Sequence, residues 1–125
     1  MATFDDVVRI GTQLPEVTVG TSYGTPGLLV RKKGFCRLWD ERTFEREGVD
    51  LAVGDVLVVM CDVDEKPMLL DQFPGVLMST PHYDGYGAML VRLADVEEPD
   101  LADFLEDSYR AKAPATLIKQ LDAAT

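Results

Sequence analysis

The sequence predicts an α+β domain with a mainly antiparallel sheet. The predicted order is one helix, about four strands, a helix, two strands and a terminal pair of helices, and the strands follow one another through short connections. A doubly wound parallel sheet needs a helix after nearly every strand, so this order favours antiparallel pairing. The length of 125 residues is typical of one domain, and we predict a single domain over residues 1–125.

The amino-terminal part is predicted to form a helix followed by a strand. Apolar residues at helical spacing predict a helix over Thr3–Leu14, in which Thr3 and Asp6 form a short capping box. Pro15 ends this helix. Alternating valines then predict a strand over Glu16–Thr21.

The next region is predicted to form a β-hairpin. After a turn-rich break over Tyr23–Gly27, two β-rich runs follow, Leu28–Arg31 and Phe35–Trp39. They are joined by Lys32–Gly34, a short Gly-containing connection typical of a hairpin. The polar stretch Asp40–Asp50 is predicted to be a connection with at most one helical turn.

The central part is predicted to form a buried strand and a short helix. Asp55–Cys61 is a nearly continuous apolar run, which suits a strand buried on both faces of the sheet. Asp64 is then placed to cap a helix over Glu65–Phe73, with Pro67 in its first turn, where proline is tolerated. The apolar side chains predicted to face inward from this helix are Met68, Leu69 and Phe73.

The last part is predicted to contain two strands and two helices. Val76–Thr80 and Ala88–Leu93 are strands on either side of the loop Pro81–Gly87. Pro99 opens a helix with an apolar stripe, and Pro114 opens a second.

Composition and charge exclude several classes of protein. The net charge is −10, whereas a generic binder of polyanions carries an excess of lysine and arginine. No apolar run approaches the roughly 20 residues that span a bilayer, and the start shows no signal-peptide pattern, so we predict a cytoplasmic protein without a membrane partner. Cys36 and Cys61 lie in β-like apolar runs, which predicts two reduced, mostly buried thiols.

Known signatures of cofactor and metal sites are missing. The glycines lack the spacing of phosphate-binding and dinucleotide-binding loops, and there is no nucleophile elbow. The single histidine excludes a metal site built on several imidazoles. The acidic run Asp95–Asp107 follows no calcium-loop pattern and is interpreted as a solvated helix face. We therefore predict no metal, no cofactor and no catalytic residue.

The loop around the histidine is the first candidate site. It brings together His82, Tyr83, Asp84 and Tyr86 between two strands, and Tyr23 is a further candidate for the same ligand. In the functional interpretation, Asp84 orients His82 and a tyrosine stacks on a small molecule. In the architectural interpretation, the loop needs its turn residues and the aromatic rings cover the edge of the core.

The predicted hairpin and the residues after it are the second candidate site. Half of the 12 basic residues fall here, against three acidic ones. They are the candidate nucleic-acid contacts Arg31, Lys32, Lys33, Arg37, Arg42 and Arg46. The alternative is that lysines at an exposed hairpin prevent the addition of a further strand.

Several ordered blocks are similar to one family. They are Thr21–Pro26, the hairpin Leu29–Trp39, the strand Val56–Cys61, the segment Thr80–Tyr86 and the ending Asp107–Pro114. Together they resemble the MmcQ/YjbR-like family over nearly the whole chain. The resemblance implies a compact α+β domain similar to secretion-chaperone-like folds, with the helices packed mostly on one side of the sheet. Members are commonly labelled DNA-binding proteins, so it also implies nucleic acid as the partner and transfers no catalytic residue.

The residues therefore predict a small cytoplasmic, non-enzymatic binding protein, with nucleic acid the partner that the resemblance implies. Two alternatives stay open. One is a protein-interaction or adaptor module, which includes association with a second copy. The other is a small-molecule binder, or less readily an enzyme, at the loop that carries His82.

Overall fold

The computed structural model describes residues 2–22, 24–39, 55–80, 83 and 85–124. Within them the chain forms α1 (Phe4–Gly11), β1 (Val17–Ser22), β2 (Thr25–Val30), β3 (Lys33–Leu38), β4 (Val56–Met60), α2 (Lys66–Gln72), β5 (Leu77–Met78), β6 (Ala88–Arg92), α3 (Glu98–Lys112) and α4 (Ala115–Ala123). This is the order that the sequence predicts, and the α+β class is confirmed.

The strands form one antiparallel sheet in the order β1-β2-β3-β4-β6-β5. Strands β1 to β4 pair with one another in chain order, while β6 pairs with both β4 and β5. The central strand β4 is buried from Val56 to Val59, which confirms the prediction of a strand covered on both faces.

One face of the sheet carries the main core. Helix α3 presents Leu101, Leu105 and Tyr109 to it, and β4 contributes Leu57 and Val59. Burying such a side chain stabilises a fold by about 1.5–3 kcal/mol, so this layer supplies most of the stability. Across the part of the chain that the structure describes, no helix combines the length and apolar character needed to cross a bilayer.

The other face of the sheet carries a smaller apolar cluster. Alternation along β4 and β6 sends Val58 and Leu90 to this side, where they pack with Trp39 and Tyr83. Tyr83 is thus a core residue, so its ring is part of the architecture of the candidate loop.

Ser108 ties α3 to the sheet. Its buried hydroxyl donates to the carbonyl oxygen of Phe35 in β3 and accepts from the backbone N–H of Met60 in β4 at 2.7 Å. The next residue, Tyr109, packs edge to face on Phe35 with ring centroids 5.7 Å apart and donates to the carbonyl of Pro15 at 2.9 Å. This pair of α3 residues is therefore architectural.

The hairpin differs from its prediction in two places. The predicted break over Tyr23–Gly27 is too long, because Ser22 already pairs with Thr25 and the strand begins there. Gly27 lies inside β2. This strand position holds glycine because a Cβ there would overlap the backbone carbonyl of Cys36.

The turn between β2 and β3 also shifts. Val30 pairs with Lys33, so the turn consists of Arg31 and Lys32, and the predicted connection Lys32–Gly34 is wrong. Gly34 belongs to β3, where a Cβ would overlap the hydroxyl of Ser22.

The central helix and the next strand are shorter than predicted. Asp64 does not cap α2, because Glu65 occupies the cap position and makes no side-chain hydrogen bond there. Met68 faces solvent with 59% of its surface exposed, whereas Phe73 packs edge to face on Phe104 at 5.0 Å as expected of an inward residue. The predicted connection Asp40–Asp50 lies outside the described residues.

Candidate ligand-binding site

The turn between β2 and β3 has an unusual backbone. Arg31 and Lys32 have φ values of 47° and 69°, the left-handed region that two-residue hairpin turns require. Asn and Gly adopt this region easily, whereas each other residue costs about 1–2 kcal/mol. The turn therefore holds Lys32 and Lys33 exposed at the end of the hairpin at some cost in stability.

The predicted basic residues have different roles. Arg31 pairs with Glu16 at 3.0 Å, and this hydrogen-bonded pair raises the pKa of Arg31 and lowers that of Glu16. Arg37 donates to the hydroxyl of Tyr83 at 3.1 Å, so its guanidinium supports the smaller core. The exposed Lys32 and Lys33 form no ion pair with any residue the structure describes. Arg42 and Arg46 lie outside these residues.

A basic groove lies beside the turn. It has a volume of about 420 Å³, and its lining residues are Thr21, Ser22, Leu29, Lys32, Lys33, Gly34 and Lys112. Lys112 comes from the last turn of α3, far from the hairpin in sequence. Ammonium and hydroxyl groups are the donors that proteins present to phosphate, so this groove suits a phosphate group.

An aromatic cavity adjoins the basic groove. It has a volume of about 530 Å³, and its lining residues are Met60, Tyr83, Tyr86, Gly87, Ala88 and Lys112. Tyr86 is 65% exposed, whereas Tyr83 is buried. Since Lys112 lines both spaces, the two candidate sites of the sequence meet at a residue that neither of them includes.

Buried Lys66 positions the segment that carries the tyrosines. Only 5% of Lys66 is exposed, and its ammonium donates to the carbonyl oxygens of Tyr83 at 2.5 Å and Tyr86 at 3.2 Å. The residue after this turn is Gly87. Glycine fits there because a Cβ would clash with the carbonyl oxygen of Cys61. Sequence reasoning missed Lys66, because nothing in its neighbourhood distinguishes a buried lysine from the solvated ones of a short helix.

The other candidate ligand contacts named from the sequence stay predictions. His82, Asp84 and Tyr23 lie outside the described residues. The structure therefore brings Tyr83 and Tyr86 to one cavity, and it adds Met60 and Lys112 to the candidate site.

An acidic cavity lies on the main-core face of the sheet, opposite the aromatic one, and Met60 at the end of β4 lines both. It has a volume of about 380 Å³, an apolar floor and a rim that includes Asp62, Glu65 and Asp107. Burial and the nearby carboxylates raise the pKa of Asp107. The rim also contains Arg110, but this guanidinium is held by Asp122 at 2.7 Å. Binding of phosphate is therefore disfavoured in the acidic cavity.

The described residues do not assemble a reactive centre. Both cysteines are free thiols, and burial raises the pKa of Cys36 to about 12 and also raises that of Cys61. A thiol with a raised pKa is a poor nucleophile at neutral pH. Over the same part of the chain, no three histidine, cysteine or acidic side chains are grouped to hold a metal ion.

Comparison with known proteins places the chain in a family. It is 34% identical over 122 residues to uncharacterized protein Mb2600 of Mycobacterium bovis and to uncharacterized proteins MT2646 and Rv2570 of Mycobacterium tuberculosis, and each match covers 95% of both chains. No solved structure is significantly similar. The sequence model of the YjbR family matches residues 12–111, which confirms the resemblance. The chain therefore belongs to the YjbR family.

Proposed function

We propose that this protein is a non-enzymatic nucleic-acid-binding protein that holds the phosphate backbone in the basic groove. The observation that carries the proposal is that Lys112 of α3 lines the same groove as Lys32 and Lys33 of the hairpin. Three lysines and two hydroxyl-bearing residues, Thr21 and Ser22, then line one groove, as phosphate recognition needs.

The net charge of −10 limits the expected strength of binding. The surrounding acids oppose the approach of a polyanion, while a local basic patch attracts its phosphates. Three lysine contacts to a single strand release counterions with a slope of about −2 in a plot of log affinity against log salt. We therefore expect weak binding that is strongest at low salt.

The test is fluorescence anisotropy with labelled single-stranded and double-stranded DNA between about 20 and 200 mM salt, where counterion release is visible. Lys112→Glu should weaken binding by about tenfold, because it removes one phosphate contact and adds repulsion. Lys32→Glu combined with Lys33→Glu should remove binding while the protein stays folded by circular dichroism.

Lys119→Glu is the matched control. Lys119 is exposed on α4, and its replacement changes the net charge of the protein by the same amount as Lys112→Glu. Equal losses for Lys112→Glu and Lys119→Glu would assign the effect to net charge and remove the proposed site. Absence of binding by the unchanged protein at the lowest salt would overturn the proposed function itself.

A small-molecule binder is the second candidate function, and the aromatic cavity favours it. A volume of about 530 Å³ lies within the range of ligand pockets, and the cavity has an apolar wall with a lysine at one side. The adaptor interpretation stays a prediction. The experiment on Tyr86 below includes a free small molecule and so tests this second candidate as well.

A further inference from the structure

We propose that the basic groove and the aromatic cavity together form one site for a single nucleotide unit, with the phosphate at the lysines and the unpaired base against Tyr86. The inference rests on the proposed function for its phosphate contacts. It adds that the bound nucleotide carries an unpaired base, which is free to leave the stack of bases in a strand.

The shared residue joins the two spaces. Lys112 lines both the groove with Lys32 and Lys33 and the cavity with Tyr86. A ligand that fills both must carry an anionic group at one end and a flat apolar group at the other, on either side of one lysine side chain. A nucleotide has this arrangement, since its phosphate and its base are joined through the sugar.

The aromatic cavity suits a base. Tyr86 presents 65% of its surface to solvent, and Met60 and Ala88 supply an apolar wall. Stacking on an aromatic ring is available to every base because each has a π face. A base inside a duplex is paired and stacked on its neighbours, so it cannot enter the cavity without leaving the helix.

The site is held in place before any ligand binds. The ammonium of Lys66 binds the carbonyl oxygens of Tyr83 and Tyr86, and the ring of Tyr83 is fixed in the smaller core with its hydroxyl bound by Arg37. Less ordering is then needed on binding, which favours affinity for a small ligand.

The distribution of charge sets the direction of the ligand. The basic groove meets the aromatic cavity at Lys112, whereas the acidic cavity lies on the opposite face of the sheet and has only Met60 in common with the aromatic one. The lysines attract phosphate to the groove, and carboxylates such as Asp107 repel it from the far face. The phosphate of the bound unit therefore lies at the lysines and its base at Tyr86.

The test compares Tyr86→Ala with Tyr86→Phe by anisotropy on a short single strand and on a duplex of the same sequence. Tyr86→Ala should weaken single-strand binding by at least about fivefold, as expected for the loss of one stacked base. Tyr86→Phe should retain the affinity because it keeps the ring. Duplex binding and the salt slope should not change, since the lysines remain.

Met68→Ala is the matched control, because Met68 is exposed on α2 and lines none of the three cavities described above. A second arm measures binding of a free nucleoside monophosphate by calorimetry, and Tyr86→Ala should weaken it by a similar factor. This arm separates a strand from a free nucleotide as the source of the ligand.

The possible outcomes separate the inference from the proposed function. If Tyr86→Ala changes neither single-strand nor monophosphate binding while Lys112→Glu still weakens DNA binding, the inference is overturned and the proposed function stands. If Tyr86→Ala lowers single-strand and duplex binding equally, the base site is also wrong. If DNA does not bind but the monophosphate binds through Tyr86, the inference holds for a free nucleotide and the proposed function falls.

Discussion

The basic groove and the acidic cavity differ in charge although both are built on the carboxyl-terminal half of α3. Lys112 faces the groove with Lys32 and Lys33, whereas Asp107 faces the cavity with Glu65. The net charge of −10 is therefore unevenly distributed over the surface. A net charge describes the field far from a protein, while a ligand of nucleotide size responds to the few groups within a Debye length.

The two regions also differ in how their charges are balanced. Arg110 is the basic residue of the acidic cavity. Its guanidinium forms ion pairs with both Glu106 and Asp122. By contrast, Lys32, Lys33 and Lys112 form no ion pair within the described ranges. The groove thus keeps its positive charge for a ligand, and the cavity keeps its negative one.

The largest expected effect comes from weakening the attachment of α3 to the sheet, because α3 carries residues of both the groove and the cavity. Ser108→Ala leaves the buried carbonyl of Phe35 and the N–H of Met60 without the hydroxyl that joins them. We expect the free energy of unfolding to fall by about 2–4 kcal/mol, because each unsatisfied buried group costs about 1–3 kcal/mol. Denaturant titration measures this change.

The matched control for Ser108→Ala is Asp103→Ala, an exposed position on the same helix. This substitution should change the free energy of unfolding by no more than about 0.5 kcal/mol. A loss below about 1 kcal/mol for Ser108→Ala would show that the hydroxyl does not support the junction of α3 with the sheet.

A smaller effect is expected from replacing the turn of the basic groove. Arg31→Asn combined with Lys32→Gly supplies residues that accept positive φ, so the protein should gain about 1–2 kcal/mol of stability. The lost surface ion pair with Glu16 offsets only a small part of this gain, because exposed ion pairs contribute little to stability. DNA binding should weaken at the same time, because a phosphate contact is removed.

Lys32→Gly alone is the comparison for the turn, since it relieves one position and keeps the ion pair of Arg31. If neither variant is more stable by denaturant titration, the backbone of the turn is not strained. If stability rises and DNA affinity is unchanged, Lys32 is not a phosphate contact and the groove loses one of its three lysines.

The smallest expected effect lies in the acidic cavity and depends on pH. Because the folded protein raises the pKa of Asp107, its ionised form is disfavoured on folding. Asp107→Asn should therefore raise the melting temperature at neutral pH by up to about 2 °C, the size of a favourable surface substitution. The gain should shrink as the pH falls and vanish below the ordinary pKa of 3.8, where both folded and unfolded forms are protonated.

Asp71→Asn serves as the control for Asp107→Asn, since it removes one exposed carboxylate from α2 that neither lines the cavity nor acts on Asp107. A gain for Asp107→Asn that is equal at neutral and acidic pH would contradict the assignment of the effect to the ionised carboxylate.

The sequence predicted most of the fold because the elements carry strong local patterns. Examples are the apolar run from Val56 to Met60, Pro99 in the first turn of α3 and Pro114 just before α4. The errors fall where close packing overrides local preference. Gly27 and Gly34 look like turn residues, yet both lie in strands, where glycine is needed because neighbouring atoms leave no room for a side chain.

Local sequence patterns predicted only part of the candidate site. Charge and aromatic content drew attention to the hairpin and to the loop with Tyr83 and Tyr86. No local pattern indicated that Lys112 joins them or that Lys66 is buried beneath the loop. Hydrophobic periodicity acts between near neighbours in the chain, so it determines helices and strands. Which distant side chains meet is decided by the packing of α3 and the sheet, through the burial that only the assembled core provides.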